Sequence, residues 1–117
     1  MKTVRLFVVV ALLGVMFASC AFHSSRRSFG PYSDAEAFYK KGDYPKAVEK
    51  YQEYLAVNPQ GNLAATAQYY IAKSYAVSGD MAKACENFEQ VVKQYPGTSW
   101  AAFAKEQLEK LQGAAKV

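Results

Sequence analysis

Residues 42–51 read Gly42-Asp43-Tyr44-Pro45-Lys46-Ala47-Val48-Glu49-Lys50-Tyr51, and 37 positions later the chain reads Gly79-Asp80-Met81-Ala82-Lys83-Ala84-Cys85-Glu86-Asn87-Phe88. The offset also carries Pro59 onto Pro96, Leu63-Ala64-Ala65-Thr66-Ala67 onto Trp100-Ala101-Ala102-Phe103-Ala104, and Ile71 onto Leu108. A period in the thirties, with Gly at a turn and Pro at a helix end, marks stacked helical hairpins. Each matched position has a physical reason. Gly42 and Gly79 supply a positive φ after a first helix, and Asp43 or Asp80 can cap the second. Pro45 falls in the first turn, where a missing N–H does no harm. Ala47 and Ala84 let two helices approach closely, while Tyr51 and Phe88 fill the space one turn on. Pro59 and Pro96 stop the second helix.

The spacing predicts helices over 34–41, 45–57, 63–78, 81–94 and 99–112, an all-α solenoid of about two and a half repeats. Ser33 can cap the first, with Glu36 three residues on completing a capping box. Phe38, Tyr44, Tyr51, Tyr54, Tyr75, Phe88 and Trp100 fall at or near i, i+3, i+4 spacing and are expected to supply much of the core. These residues resemble the tetratricopeptide repeat, with its Gly-Asp-Tyr hairpin, small Ala, later aromatic and terminal Pro. The resemblance implies repeats at about 34–59 and 63–96 and a capping helix at 99–112, with 113–117 as a tail. The usual family period is 34, so the three extra residues fall between Pro59 and Leu63 and between Pro96 and Trp100.

Upstream, Lys2 and Arg5 precede an uncharged stretch from Leu6 to Phe17, then Ala18, Ser19 and Cys20. Charge, apolar run and small residues in that order form an export signal. About 12 residues rise only about 18 Å as a helix, short of the ~30 Å hydrocarbon layer, so a permanent span is not expected. The segment resembles the signal of bacterial lipoproteins. That implies removal of residues 1–19 and acylation of Cys20, although Phe17 stands where Leu is usual. Ser19-Cys20-Ala21 also offers cleavage after Ala21, which would leave an unlipidated periplasmic protein, and both outcomes stay open. Ala21, where Asp would direct retention at the inner membrane, implies an outer-membrane address facing the periplasm. Residues 20–33, rich in Ser, Arg, Gly and Pro, then read as a tether.

The net charge of +4 falls to +2 without Lys2 and Arg5, and the other Lys and Arg alternate with Asp and Glu. That pattern gives no footprint for nucleic acid. If Cys20 is acylated, Cys85 has no disulfide partner and is expected to act as a small apolar side chain. The one histidine, His23, lies in the tether, away from any ligand set or triad. With no metal cluster, paired catalytic carboxylates or Gly-rich phosphate loop, the chain is not expected to be an enzyme or to carry a cofactor.

Binding is the remaining task. The resemblance implies a groove lined by the first helix of each hairpin, with Glu36, Tyr39, Lys40, Tyr69 and Lys73 facing a protein or peptide partner. Tyr39 and Tyr69 could instead be partly core, and Lys40 and Lys73 solubilising charges. The turn Tyr95-Pro96-Gly97-Thr98-Ser99 before an Ala-rich helix resembles periplasmic tetratricopeptide lipoproteins of outer-membrane β-barrel assembly and the Tol-Pal system. Three functions stay open on this ground: a lipid-anchored envelope adaptor, a soluble periplasmic peptide-binding module, and a self-associating structural protein.

Overall fold

A computed structural model describes residues 30–116. Within them the chain forms helices α1 (Pro31–Lys40), α2 (Tyr44–Val57), α3 (Ala64–Val77), α4 (Met81–Gln94) and α5 (Ser99–Ala115). The expected all-α, TPR-like architecture of stacked hairpins is the one observed. Cys20, His23 and the export segment lie outside the described residues.

The repeated Gly-Asp closes one helix and opens the next with the same atoms. Gly42 N donates to Tyr39 O at 3.0 Å and Asp43 N to Phe38 O at 3.0 Å, which satisfies the carbonyls that α1 leaves unpaired. Gly79 and Asp80 repeat this with Ala76 O and Tyr75 O. The φ of +80° at Gly42 and +90° at Gly79 makes the reversal possible. Each Asp then caps the following helix, Asp43 accepting from Lys46 N at 3.4 Å and Asp80 from Lys83 N at 3.2 Å. Two residues thus serve as both exit and entry of a hairpin.

Both ends of the helical array differ from the sequence expectation. α1 begins at Pro31 rather than after a Ser33 cap, and its N-cap, Gly30, makes no side-chain bond. Pro31 suits a first helical position because its missing N–H would be unpaired there in any case. The earlier start also seats Tyr32 edge-on to Tyr51 at 5.6 Å and to Tyr54 at 5.2 Å. Those contacts, worth about 0.5–1.5 kcal/mol each beyond burial, outweigh a cap worth about 1 kcal/mol. At the other end α5 continues through Gly113 to Ala115, so residues 113–115 are helical, not tail. Its start is capped by Thr98, whose Oγ1 accepts from Ala101 N at 3.2 Å and donates to Tyr95 O at 2.7 Å. At the matching place before α3 stands Gly61, and α3 has no side-chain cap.

Alanines occupy the helix crossings. Ala35, Ala47, Ala67, Ala72, Ala84 and Ala104 are fully buried. Around them lie two clusters, one built on Tyr51 and Ile71 and the other on Tyr69, Phe88 and Val91, with Tyr70 and Tyr75 packed against both. Of the aromatics expected in the core, Tyr51 and Phe88 are buried, while Phe38, Tyr54, Tyr75 and Trp100 are half-buried against the clusters. Tyr44 packs edge-on to Tyr39 at 5.4 Å. Cys85 is a free, half-buried thiol on α4. α3 lies at the centre, packed on α2 before it and on α4 and α5 after it. Ring contacts from Tyr39 to Tyr70 and from Tyr70 to Trp100 join α1, α3 and α5 into one layer.

Candidate functional site

The layer of α1, α3 and α5 carries a continuous stripe of rings. Tyr39 meets Tyr70 at 5.1 Å, Tyr70 meets Trp100 at 6.0 Å, and Trp100 meets Phe103 at 5.8 Å. Phe103 ends the stripe with 47% of its surface exposed. Between α1 and α3 the stripe dips into a recess of about 170 Å³ lined by Glu36, Tyr39, Lys40, Tyr51 and Tyr70.

Three of the sequence-derived candidates, Glu36, Tyr39 and Lys40, therefore meet in one place. Lys73 lies beside them, one turn after Tyr70 on α3, with Nζ 5.8 Å from the centre of the Tyr70 ring. Tyr69 takes a different position from the groove expected of it. It is 7% exposed and packs on Phe88 at 5.4 Å and Trp100 at 5.0 Å, inside the second core cluster. Neighbouring residues on a helix point about 100° apart, so Tyr69 and Tyr70 cannot share a face. Tyr70 takes the surface position.

Tyr70, Trp100 and Phe103 were not among the candidates. Tyr70 had a legible signal, since it sits three residues before Lys73 and so on the same helical stripe. Phe103 had another, because it stands where the preceding repeat has the small polar Thr66.

Burial raises the hydroxyl of Tyr39, with the nearby Tyr44, Tyr70 and Tyr69 adding to it. Tyr51 is raised further for the same first reason. Tyr32 is pushed up to about 12, by burial first and then by the Glu36 carboxylate. These phenols stay protonated at neutral pH and offer O–H donors as well as ring faces.

The charges are divided unevenly between the layers. On α2 and α4 and their caps, Lys46, Lys50, Lys83 and Lys93 each pair with a carboxylate three or four residues away. On the other layer Lys110 pairs with Glu106 at 2.6 Å, a bond that raises the Lys110 ammonium. Lys40 and Lys73 make no ion pair among the described residues.

A larger notch of about 340 Å³ lies on another side of α3, lined by Tyr44, Pro45, Val48, Ser74, Tyr75, Ser78 and Asp80. Its two serine hydroxyls are already committed, Ser74 Oγ to Tyr70 O and Ser78 Oγ to Ser74 O, both at 2.7 Å. Asp80 is engaged as the cap of α4. Without convergent free polar groups it is a packing notch between hairpins rather than a site that orients a ligand.

Among the described residues no three His, Cys, Asp or Glu side chains gather as a ligand set. No helix there is long and apolar enough to cross a membrane.

No curated protein matches the chain. The Tetratricopeptide repeat family matches it twice, over residues 35–61 and 66–98, together just over half its length. With paired helices joined by a shared Gly-Asp turn, small residues at the crossings and Pro after each second helix, the chain belongs to the tetratricopeptide repeat family.

Proposed function

We propose that this chain is a non-catalytic, lipid-anchored scaffold of the bacterial cell envelope that holds a segment of a protein partner across α1, α3 and α5. Tetratricopeptide repeats generally mediate protein–protein interactions and are typically non-catalytic. The observation that carries the proposal is the aromatic stripe from Tyr39 to Phe103. Its rings cross all three helices of one layer and end in a half-exposed Phe, with Lys40 and Lys73 at the Tyr39–Tyr70 end. Rigid aromatic surface with polar tips is what a peptide-binding face needs, because it offers contact area with little side-chain ordering on binding.

The envelope part of the proposal rests on the order Lys2, Arg5, apolar run, Ala18-Ser19-Cys20, with Ala21 favouring the outer membrane. Within the envelope, the resemblance of the turn Tyr95-Pro96-Gly97-Thr98-Ser99 and the Ala-rich helix after it to lipoproteins of β-barrel assembly and the Tol-Pal system makes a role beside outer-membrane protein assembly the leading context. A soluble periplasmic module is the second reading, supported by the cleavage site after Ala21.

The ends of the array weigh against end-to-end self-association. Ile71, which buries itself against the preceding hairpin, is matched in α1 by Asp34. Tyr69 and Ala72, which pack on the following helices, are matched in α5 by Glu106 and Glu109. Stacking one copy on another would put these polar side chains where the internal contacts use apolar ones.

Intact mass measurement of the membrane-extracted protein beside Cys20→Ser, with separation of inner and outer membranes, tests the anchor. A diacylglyceryl adduct on Cys20 in the outer-membrane fraction supports the proposal. An unmodified soluble chain starting at Phe22 replaces it with the periplasmic module.

A further inference from the structure

The same face also specifies the chemistry of what it holds, an inference that rests on the partner-binding reading above. The recess between Tyr39 and Tyr70 is well under the ~300 Å³ at which small-molecule sites begin. It has room for one side chain, and its walls are the rings of Tyr39, Tyr51 and Tyr70, so that side chain is bulky and apolar. From Tyr70 the stripe continues through two ring spacings of 6.0 and 5.8 Å to Phe103. That path corresponds to roughly three or four residues of extended chain. A second apolar side chain of the same segment would reach the Trp100–Phe103 end.

Charge decides what lies between the two anchors. Glu36, Lys73 and Lys110 occupy the same repeat position on successive helices of the layer, each 37 residues from the last, and Lys40 stands one turn beyond Glu36. Glu106 already neutralises Lys110 at 2.6 Å. Lys40 and Lys73 are left over, the first at the rim of the recess and the second above the Tyr70 ring that joins recess to stripe. Glu36 lies inside the recess, where its carboxylate can accept a backbone N–H of a bound segment. A basic residue between the anchors would face the ammonium of Lys73, which makes no ion pair among the described residues, while Lys40 shares the recess with the Glu36 carboxylate.

We propose that the partner segment is an extended acidic peptide with two bulky apolar side chains three or four residues apart and at least one Asp or Glu between them, the carboxylate meeting Lys73 and Lys40.

The test is selection of a displayed library of random peptides on the immobilised full chain, side by side with the Lys40→Gln/Lys73→Gln double variant and with Phe103→Gln. All three positions are exposed, so the fold is retained. Binding of the enriched peptides is then read from the emission of Trp100, the single tryptophan, which lies in the stripe. The expected wild-type sequences carry the apolar pair with an acidic residue between. Their affinity should fall roughly two- to fivefold for each lysine removed and weaken with added salt only in the wild type. Enrichment of neutral or basic sequences, or affinity unchanged in the double lysine variant, overturns the acidic assignment while leaving the groove in place. Absence of any enriched peptide, or peptides that bind Phe103→Gln as tightly as wild type and leave Trp100 emission unchanged, overturns the groove itself and this inference with it.

Discussion

Gly79 sits at φ +90° between α3 and α4, and a Cβ added there would meet nothing within 4 Å. Gly113 lies inside α5 with helical backbone, and a Cβ added there would also meet nothing within 4 Å. The two positions offer the same empty space and differ only in backbone conformation. Gly79→Ala forces a left-handed conformation that costs an L-residue about 1–2 kcal/mol, and no new packing offsets that strain. Gly113→Ala removes the conformational freedom of glycine from a helix and should stabilise by about 0.5–1 kcal/mol, less whatever fraying at the end of α5 takes away. For a domain of 60–100 residues each kcal/mol moves the melting midpoint by about 4–8 °C. Gly79→Ala should therefore melt roughly 5–15 °C lower, and Gly113→Ala a few degrees higher. Thermal and urea unfolding followed by circular dichroism at 222 nm, with unchanged m-values, would read both. If Gly79→Ala melts with or above the wild type, then the repeated Gly is not held there by φ. The account of the hairpin turn would then be wrong.

Two further outcomes follow from burial. Phe88, 1% exposed at the centre of the second cluster, should cost about 3–5 kcal/mol when cut to Ala. Phe103→Gln, which removes a half-exposed ring from Trp100 and Tyr69, should cost only about 0.5–1.5 kcal/mol, and urea midpoints of the two variants give the comparison directly. Alkaline pH should unfold the domain: Tyr32, Tyr39, Tyr51, Tyr69 and Tyr95 are all raised, with burial the first cause in each. The unfolded chain releases these protons near the ordinary 10.0 while the folded chain keeps them, so this stability is complete below about pH 10. It is lost as pH rises through the folded values, about 12 for Tyr32. Urea midpoints at pH 8, 10 and 11, with tyrosinate absorbance as the proton count, would contradict this if they were equal.

The repeat was legible in the residues because its devices are local. Gly42 and Gly79, with the aspartates after them, make every bond of the turn within a few positions of one another, so a spacing of 37 is enough to locate both hairpins. Ala47, Ala84, Tyr51 and Phe88 were legible for a related reason, since one helical period puts small and large side chains on the same face. The start of α1 was not legible. Whether Ser33 or Gly30 precedes the helix depends on Tyr32 reaching Tyr51 and Tyr54, which belong to another helix. The binding face divides the same way. Glu36, Tyr39, Lys40 and Lys73 could be named from the period, but the choice between Tyr69 and Tyr70 was set by how α3 is rotated between α2, α4 and α5. That rotation buries one tyrosine among Phe88 and Trp100 and turns the next toward Tyr39, a contact between helices 31 residues apart in the chain. Sequence alone determined the period, the turns and the helical layers, because those rest on neighbours along the chain. Only the tertiary structure decided which rings form the stripe and which lysines stay unpaired, because those properties belong to surfaces assembled from three separate helices.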